Sequence, residues 1–579
     1  MEKRALKRKF YTLANRCSQY KIHSSAVKIA GRCFERVKKA YRASALGKIM
    51  SDHTSTIENS VAYKIIDTMF KGVDYGLKSI GHFWEHNKNY SLFHKLIKMV
   101  SSPLGKKIIS IIMMLLSTIA YLTYINIYSM TPEITFTFVS ALIMILALGV
   151  NPAGLRETYE SSVLHERMSY FWSSDGKTVE FPWIMSFLIL SIPILPKSIT
   201  MVLLIALSSI KLVWGAVKRK APLKIDCLIF AIVLFYVVMV IGTGTSTYRM
   251  DSIRDLAIHT VAIVWTISMI IDSKNLEKLY SMMVSFVYVA TLVAVYGVLQ
   301  YFIGVEMDAA WVDVQNNPNL SVRVYSVFGN PNILGEYLIM ALPISMGLFM
   351  NSKGWFKKLL FLGTTGAMGC ALVLTFGRGA WLGFAFAVAV MVILYKKELI
   401  WALIPAGIVS LFLLPESILN RILSIANLGD SSNAYRIRVW KVAMEMIKDN
   451  WILGVGFGYM PFKINYLNYI RTMNVYHSHN MILEIFAELG IGGLLVLVFM
   501  LGIILKKLYQ ISIQREDRFA RIIAISLFGS FVAILTNGLT ENVLYLPKII
   551  WTFWMIVGFA GILIRVQRTE YKVKEKSND

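Results

Sequence analysis

Charge is what this chain has least of. Only 16% of its 579 residues are Asp, Glu, Lys or Arg, against 56% that are hydrophobic. Soluble proteins of this size carry roughly a quarter of their residues charged, so a water-soluble globular fold is excluded. Acidic residues are the scarcer sign, 35 against 60 basic ones, which leaves a net charge of +25. Cysteine is nearly absent as well. Cys17, Cys33, Cys227 and Cys370 form no CxxC pair and show no metal-ligand spacing, which argues against a disulfide scaffold or a zinc module. Cys227 and Cys370 fall inside apolar runs, where a small buried thiol is the expectation. No apolar stretch follows the basic N-terminus, so no cleavable signal peptide is expected.

What the chain has instead is long hydrophobic runs. Each run of about 18 or more apolar residues can cross a bilayer core as a helix, and backbone groups in lipid must be satisfied within the segment. The expected fold is therefore all-α, a polytopic membrane helical bundle of about 12 to 14 transmembrane helices. The spans are placed near 106–129, 133–150, 181–196, 199–216, 225–243, 255–271, 280–303, 333–350, 356–376, 379–395, 398–414, 481–505, 520–540 and 547–565. The third is short and holds Pro182, Pro193 and Pro196.

Three regions follow: a basic stretch 1–104, cytoplasmic or on the membrane surface, a polytopic domain 105–568, and a basic-to-polar tail 569–579. Residues 1–101 hold 20 Lys and Arg against 7 Asp and Glu, about half of the net charge. Within them Val61, Ile65, Ile66, Met69, Phe70 and Val73 recur at helical spacing among Lys64, Asp67 and Lys71, the pattern of a surface-lying amphipathic helix or of a docking helix. With a cytoplasmic N-terminus, Lys218-Arg219-Lys220, Lys357-Lys358, Lys396-Lys397, Lys506-Lys507 and the C-terminal basic residues all fall inside, as the bias of Lys and Arg toward the cytoplasm requires. This places the basic surplus beside anionic headgroups and makes a nucleic-acid partner unexpected. Loop 151–180 fits that topology poorly, with 3 Lys and Arg against 5 Asp and Glu.

The same alternation leaves 304–332 and 415–480 outside, the second net basic where basic residues are disfavoured. Loops of that length in a compact membrane domain usually carry function. Tyr435–Asn450 reads as a helix with Val439, Ala443, Met446 and Ile447 on one face. Three outer features hold candidate chemistry. Arg378 sits between Gly377 and Gly379 at the junction of two spans, where it either snorkels to headgroups or meets a ligand. Arg436 and Arg438 offer planar forks suited to phosphate oxygens, or a solvated helix face. His477 and His479 stand where a span begins, poised for proton transfer or simply interfacial; a zinc site would need a third ligand that has no suitable spacing here. Trp440, Trp451, Phe457, Tyr459, Phe462, Tyr466, Tyr469 and Tyr476 surround them, either stacking on sugars or forming an interfacial belt.

Gly329-Asn330-Pro331-Asn332-Ile333-Leu334-Gly335, Gly377-Arg378-Gly379, Arg436 with Trp440, Gly454-Val455-Gly456-Phe457-Gly458, and His479-Asn480 with Leu483-Glu484 and Glu488-Leu489-Gly490 follow in order. In this order and spacing, across about 320–505, the chain resembles the O-antigen ligase and polymerase superfamily of bacterial envelope glycan transferases. The resemblance implies a fold of the GT-C-like type and a metal-independent, inverting glycosyltransferase that needs no cofactor. It implies an undecaprenyl-diphosphate-linked glycan as donor and a glycan or lipid-anchored acceptor, with envelope polysaccharide assembly proteins as possible partners. The site would lie on the outer face of the bacterial cytoplasmic membrane, with both termini cytoplasmic. Arg378 and Arg436 would bind the lipid diphosphate and His479 would be catalytic; Arg438, His477, Asn480, Asn332 and Arg323 are candidates for contacting substrate. Paired carboxylates that would suit glycoside hydrolysis instead are not evident. A flippase or exporter of lipid-linked sugars is the rival, but Glu336, Glu484 and Glu488 lie near the outer ends of their spans rather than along a path. A non-catalytic assembly scaffold is a second rival. Polymerase and ligase share the donor and differ in the acceptor, with polymerase slightly favoured.

Overall fold

In the computed structural model the described residues are 55–87, 183–218, 225–305 except 274, 322–401, 415–425, 431–514 except 474 and 516–578, with isolated positions between 111 and 142 and at 405 and 407. The spans expected at 106–129, 133–150 and 398–414 and the loop 151–180 lie wholly or largely outside them. Contacts divide the chain into two units, Met1–Met69 and Phe70–Asp579. The apolar periodicity around residue 65 becomes helix α1, Val61–Asn87. Val61, Ile65 and Met69, then Val73, Ile80 and Phe83, recur along it as exposed apolar side chains.

The second unit is a helical bundle. After the short α2 (Trp183–Ile194), which holds Pro193 and is too short to be a full span, come α3 (Lys197–Lys218), α4 (Cys227–Thr245), α5 (Arg249–Asp272), α6 (Leu276–Ile303), α7 (Pro331–Asn351), α8 (Trp355–Leu374) and α9 (Arg378–Lys396). Three non-spanning helices follow, α10 (Glu416–Leu423), α11 (Ser431–Asn450) and α12 (Tyr459–Tyr469), before α13 (Met481–Ile513), α14 (Arg518–Asn537) and α15 (Pro547–Asn578) close the chain. Ten helices among the described residues are long and apolar enough to cross a membrane. Cap residues set their starts: Asp226, Asn275, Asn330, Asn480 and Asp517 each accept first-turn N–H groups through the side chain.

Burial sorts these helices into a centre and a rim. In the apolar window of α15, 89% of residues are buried, and α7 and α14 pack beside each other near it. On α3, α8, α9 and α13 the outward faces carry Val202, Trp214, Leu359, Leu362, Phe386, Ile393, Leu495 and Val498 exposed, the arrangement a lipid-facing surface needs. Cys227 is buried as expected. Cys370 is exposed, because the apolar run it belongs to turns that face of α8 outward.

Hydrogen bonds from Val324 to Leu374, Arg421 to Phe376, Phe457 to Gly242 and Met481 to Gly538 gather the 246–248, 304–330, 375–377, 415–480 and 538–546 connections at one end of the bundle. Helix α11 lies there against α13. Its Val439, Val442, Ala443, Met446 and Ile447 form a core with Val455, Phe462, Tyr466, Val475 and Ala487. The stripe expected from the sequence is thus the packed one, and it accounts for two of the aromatic candidates: Phe462 and Tyr466 fill this core. Phe457 is buried too, against His259.

The glycine motifs lock that layer to the bundle. Val455 and Gly456 donate N–H bonds to the carbonyls of Ala487 and Glu488, and Ile491 donates to Trp451. Gly490 breaks the helical path of α13 with φ 63°, freeing those carbonyls. A Cβ at Gly490 would lie 2.2 Å from the Ile452 carbonyl oxygen, and one at Gly454, φ 73°, 2.3 Å from that of Glu488. Only glycine tolerates both the dihedral and the approach.

Candidate active site

Two tight turns face each other at this end. In the first, Thr375-Phe376-Gly377, Phe376 adopts φ 52°, a left-handed conformation that is costly for a side chain with a Cβ. Arginines hold it. Arg323 Nε donates to the Thr375 carbonyl at 2.8 Å and Arg421 Nε to that of Phe376 at 3.2 Å. The turn delivers Arg378 as the first residue of α9, where helix N–H groups reinforce its positive charge. Arg378 Nη1 donates to the carbonyl and hydroxyl of Ser424 at 3.1 Å each.

The second turn is Tyr476-His477-Ser478-His479-Asn480. Here His479 takes φ 51°, and carboxylates do the holding. Glu484 accepts the Ser478 N–H at 2.5 Å, and the Ser478 hydroxyl bridges to Asn480. One turn further along α13, Glu488 accepts the Gly458 N–H at 3.0 Å. These are the acidic residues that a conduit would have needed along its path; Glu484 and Glu488 instead tie down loops. Asn480 caps α13 through Ile482 and Leu483 and donates to the Leu539 carbonyl.

Between the turns lies a cavity of about 720 Å³. Arg323, Arg378, Arg421, Arg436 and Arg438 line it, with Asn332, Tyr435, His479 and Glu541. Of the residues picked from sequence, Arg378, Arg436, Arg438, His479, Asn332 and Arg323 are brought together here. Asn480 and His477 are not part of the lining. His477 stands behind His479, ring centroids 4.1 Å apart.

Glu541, at the α14–α15 connection, joins the two turns. Its Oε1 accepts from Arg436 Nη2 and from Asn332 Nδ2 at 3.0 Å, and its Oε2 meets His479 Nδ1 at 3.0 Å. Asn332 in turn accepts from Arg323 Nη2 at 2.9 Å. Arg436 is fixed further by the Thr540 carbonyl and the Ser432 hydroxyl. Burial alone would raise the Glu541 carboxyl, but the Arg436 guanidinium and the His479 imidazole outweigh it and hold the group well below the usual carboxylate range. Burial, then repulsion from Arg421 and Arg378, lowers Arg323 to about 9, still charged at neutral pH. Burial, then the neighbouring His479, lowers His477 to about 3, so that ring is neutral and its Nδ1 accepts the His479 N–H at 3.2 Å.

The arrangement has a direction. A carboxylate on Nδ1 holds the imidazole in the tautomer whose Nε2 lone pair can accept a proton. The guanidinium forks supply fixed positive charge suited to phosphate oxygens. Glu541 and Arg421 were not singled out from sequence. Asn537-Gly538-Leu539-Thr540-Glu541-Asn542, a polar run between two apolar spans, is the one signal that could have found the first; nothing separated Arg421 from the other cations of its loop.

Residues 363–498 match the family model described as O-antigen ligase. That segment is similar to O-antigen ligases. The matched segment holds Arg378, Arg421, Arg436, Arg438 and His479, while Arg323, Asn332 and Glu541 complete the cavity from outside it. The teichuronic acid biosynthesis protein TuaE of Bacillus subtilis (strain 168) is 24% identical over 268 residues, 42% of this chain and 53% of that protein. The similarity thus spans about half the length of this curated relative. Together these likenesses support the O-antigen ligase and polymerase superfamily anticipated from the ordered motifs.

Proposed function

We propose that the chain is a glycosyltransferase of envelope polysaccharide biosynthesis, moving a glycan from a polyprenyl diphosphate to an acceptor hydroxyl on the outer face of the membrane. The observation that carries this reading is the cavity where five arginines converge with His479, which is bonded to Glu541. The O-antigen ligase match and the likeness to a teichuronic acid biosynthesis protein support the same class of reaction.

In this mechanism the donor diphosphate lies among Arg378, Arg436 and Arg438, with Arg323 and Arg421 shaping the floor. His479 Nε2 takes the proton of the acceptor hydroxyl as its oxygen attacks the anomeric carbon. The new C–O bond forms on the face opposite the diphosphate, the old one breaks, and the electron pair leaves with the phosphate oxygen. That charge is met by guanidinium groups already in place, an effect worth several kcal/mol in preorganised sites, on the order of 3 per donor. Glu541 stabilises the imidazolium until the proton passes to water. Attack from the far side inverts the anomeric centre. No step in this scheme requires a metal, and the acceptor is read as a second lipid-linked repeat, making the protein a polymerase.

The test is transfer in proteoliposomes with a defined undecaprenyl-diphosphate oligosaccharide, products resolved by size, with and without EDTA. Longer lipid-linked glycan that is unaffected by EDTA and abolished in Arg378→Ala and His479→Ala is the expected result. Transfer that occurs only when a separate acceptor is added would make the protein a ligase. Full activity in both variants, or a donor that only crosses the bilayer unchanged, would end the proposal.

A further inference from the structure

The reaction needs a second substrate, and the arginine cavity is suited to one only. Its charge complements the diphosphate, and His479 and Tyr435 both line it, ring centroids 5.8 Å apart. In an in-line displacement the acceptor must arrive on the other side of the reacting carbon, and its hydroxyl must reach the same imidazole.

A different chemistry begins on that other side of His479. The neutral His477 ring packs, tilted, with its centroid 4.1 Å from that of His479 and 4.4 Å from that of Tyr545. Tyr459 follows, edge-on to Tyr545 at 6.2 Å. Its backbone N–H is fixed by Asp255 Oδ2 at 3.1 Å, and Gly458 lies so close to that carboxylate that a Cβ would come within 2.4 Å of it. Both phenols are half-buried, and no described side chain takes up either hydroxyl. Since His477 Nδ1 accepts the His479 N–H, the neutral ring carries its proton on Nε2 and can donate it.

We propose that Tyr459, His477 and Tyr545, with Asp255 at the edge, form the acceptor-sugar subsite. This rests on the glycan-transfer reading and extends it to the second substrate. A pyranose has one face of C–H bonds, polarised by the ring oxygens, that suits the electron-rich face of an aromatic ring. Its hydroxyls need a few fixed donors and acceptors around that contact. Two tyrosine rings, a neutral imidazole donor and one carboxylate supply that set. A lipid-facing aromatic belt would turn its rings outward to headgroups. Here Tyr545 instead packs on the histidine that touches His479. The charge division also keeps the substrates apart: a diphosphate gains nothing beside Asp255, and a neutral sugar gains little among guanidinium groups.

The test is saturation-transfer NMR of the protein in nanodiscs. The probe is the repeat oligosaccharide freed by mild acid from the lipid diphosphate of the cells that make the protein. The parent binds it, Tyr545→Ala and Tyr459→Ala weaken binding at least tenfold, and Tyr545→Phe, which keeps the ring, stays within about threefold. Binding of undecaprenyl diphosphate to the same variants stays within twofold of the parent, which also shows that they fold. Parent-like sugar binding in both alanine variants would overturn the subsite, as would no binding to the parent or an equal loss of sugar and diphosphate. Sugar binding that depends on these rings in a protein inactive in proteoliposomes would keep the subsite and remove the transfer reading alone.

Discussion

The two turns that meet at the cavity solve one backbone problem with opposite chemistry. Phe376 and His479 both adopt positive φ just before a spanning helix begins. Arginine donors clamp the carbonyls of the first turn, whereas a glutamate acceptor clamps an N–H of the second. The residues that hold each turn also set its electrostatics. Guanidinium groups around Thr375 and Phe376 leave a positive floor beside Arg378. Carboxylates under Ser478 and Gly458 leave a region suited to proton transfer and hydroxyl recognition. Glu541 is bonded to both halves, touching Arg436 and Asn332 on one side and His479 on the other. The difference teaches that the scaffold of this site is not chemically neutral: what stabilises each loop also sets the charge beside it and so, in the proposed mechanism, what it binds.

The largest effect expected from breaking that division is at the base itself. His479→Ala should lower turnover by roughly 10²–10⁴-fold, the usual worth of a positioned proton acceptor, measured as kcat with saturating donor and acceptor. Glu541→Gln comes next, with a loss of roughly 10–100-fold in kcat, because the amide keeps the shape and cannot stabilise the imidazolium. In the double variant the losses should not multiply, since the two side chains act as one unit. Multiplying losses would mean that Glu541 acts elsewhere.

The sequence carried the positive half of this comparison better than the negative half. Arg378, Arg436 and His479 stood in ordered motifs, and alternation of spans placed them at one end before any contact was known. The stripe Val439, Ala443, Met446 and Ile447 was also legible, because a 3.6-residue period survives in any helix that packs on one side. Glu541 was not, since its partners lie 62, 105 and 209 residues away along the chain and a single carboxylate in a short loop has no period to betray it. Asn480 was read as a substrate contact, yet an Asn at the start of an apolar run is also a helix cap, and its oxygen accepts two first-turn N–H groups. Phe457, Phe462 and Tyr466 were open to sugar stacking or an interfacial belt and are instead buried; composition cannot tell which way an aromatic ring points. The described spans from 199 onward agreed closely, because hydropathy needs only length and composition, whereas 181–196 formed a helix of only 12 residues.

A smaller and more discriminating pair of substitutions exchanges the clamps for weaker ones. Arg421→Lys removes the Nε donor to the Phe376 carbonyl while keeping the charge and should raise donor KM about three- to tenfold, with kcat little changed. Glu484→Gln keeps an acceptor for Ser478 but removes the charge and should lower kcat by a similar factor at unchanged donor KM. If both variants moved the same parameter, the two turns would not be divided as described.

The smallest effect is on stability. Folding lowers the His477 imidazole from its ordinary 6.5 to about 3, so the unfolded chain takes up a proton that the folded chain refuses. Stability is therefore full above about pH 6.5 and falls as the pH drops, by at most about 1.4 kcal/mol per pH unit. Glu541, whose carboxyl is also depressed, adds a loss of the same sign only at more acidic pH. Melting temperatures followed by fluorescence from pH 7 to 5 should decline in the parent and decline less in His477→Gln. A parent curve that rises on acidification would contradict the neutral assignment of that ring.

The central claim is that the arginine side holds the diphosphate while the histidine side performs chemistry. Its most direct test is equilibrium binding of undecaprenyl diphosphate, which carries no sugar to transfer, to nanodisc-embedded parent, Arg378→Ala, Arg436→Ala and His479→Ala. Affinity should fall at least tenfold in each arginine variant and stay within twofold in His479→Ala. Parent-like affinity in both arginine variants, or a loss as large in His479→Ala as in them, would contradict it.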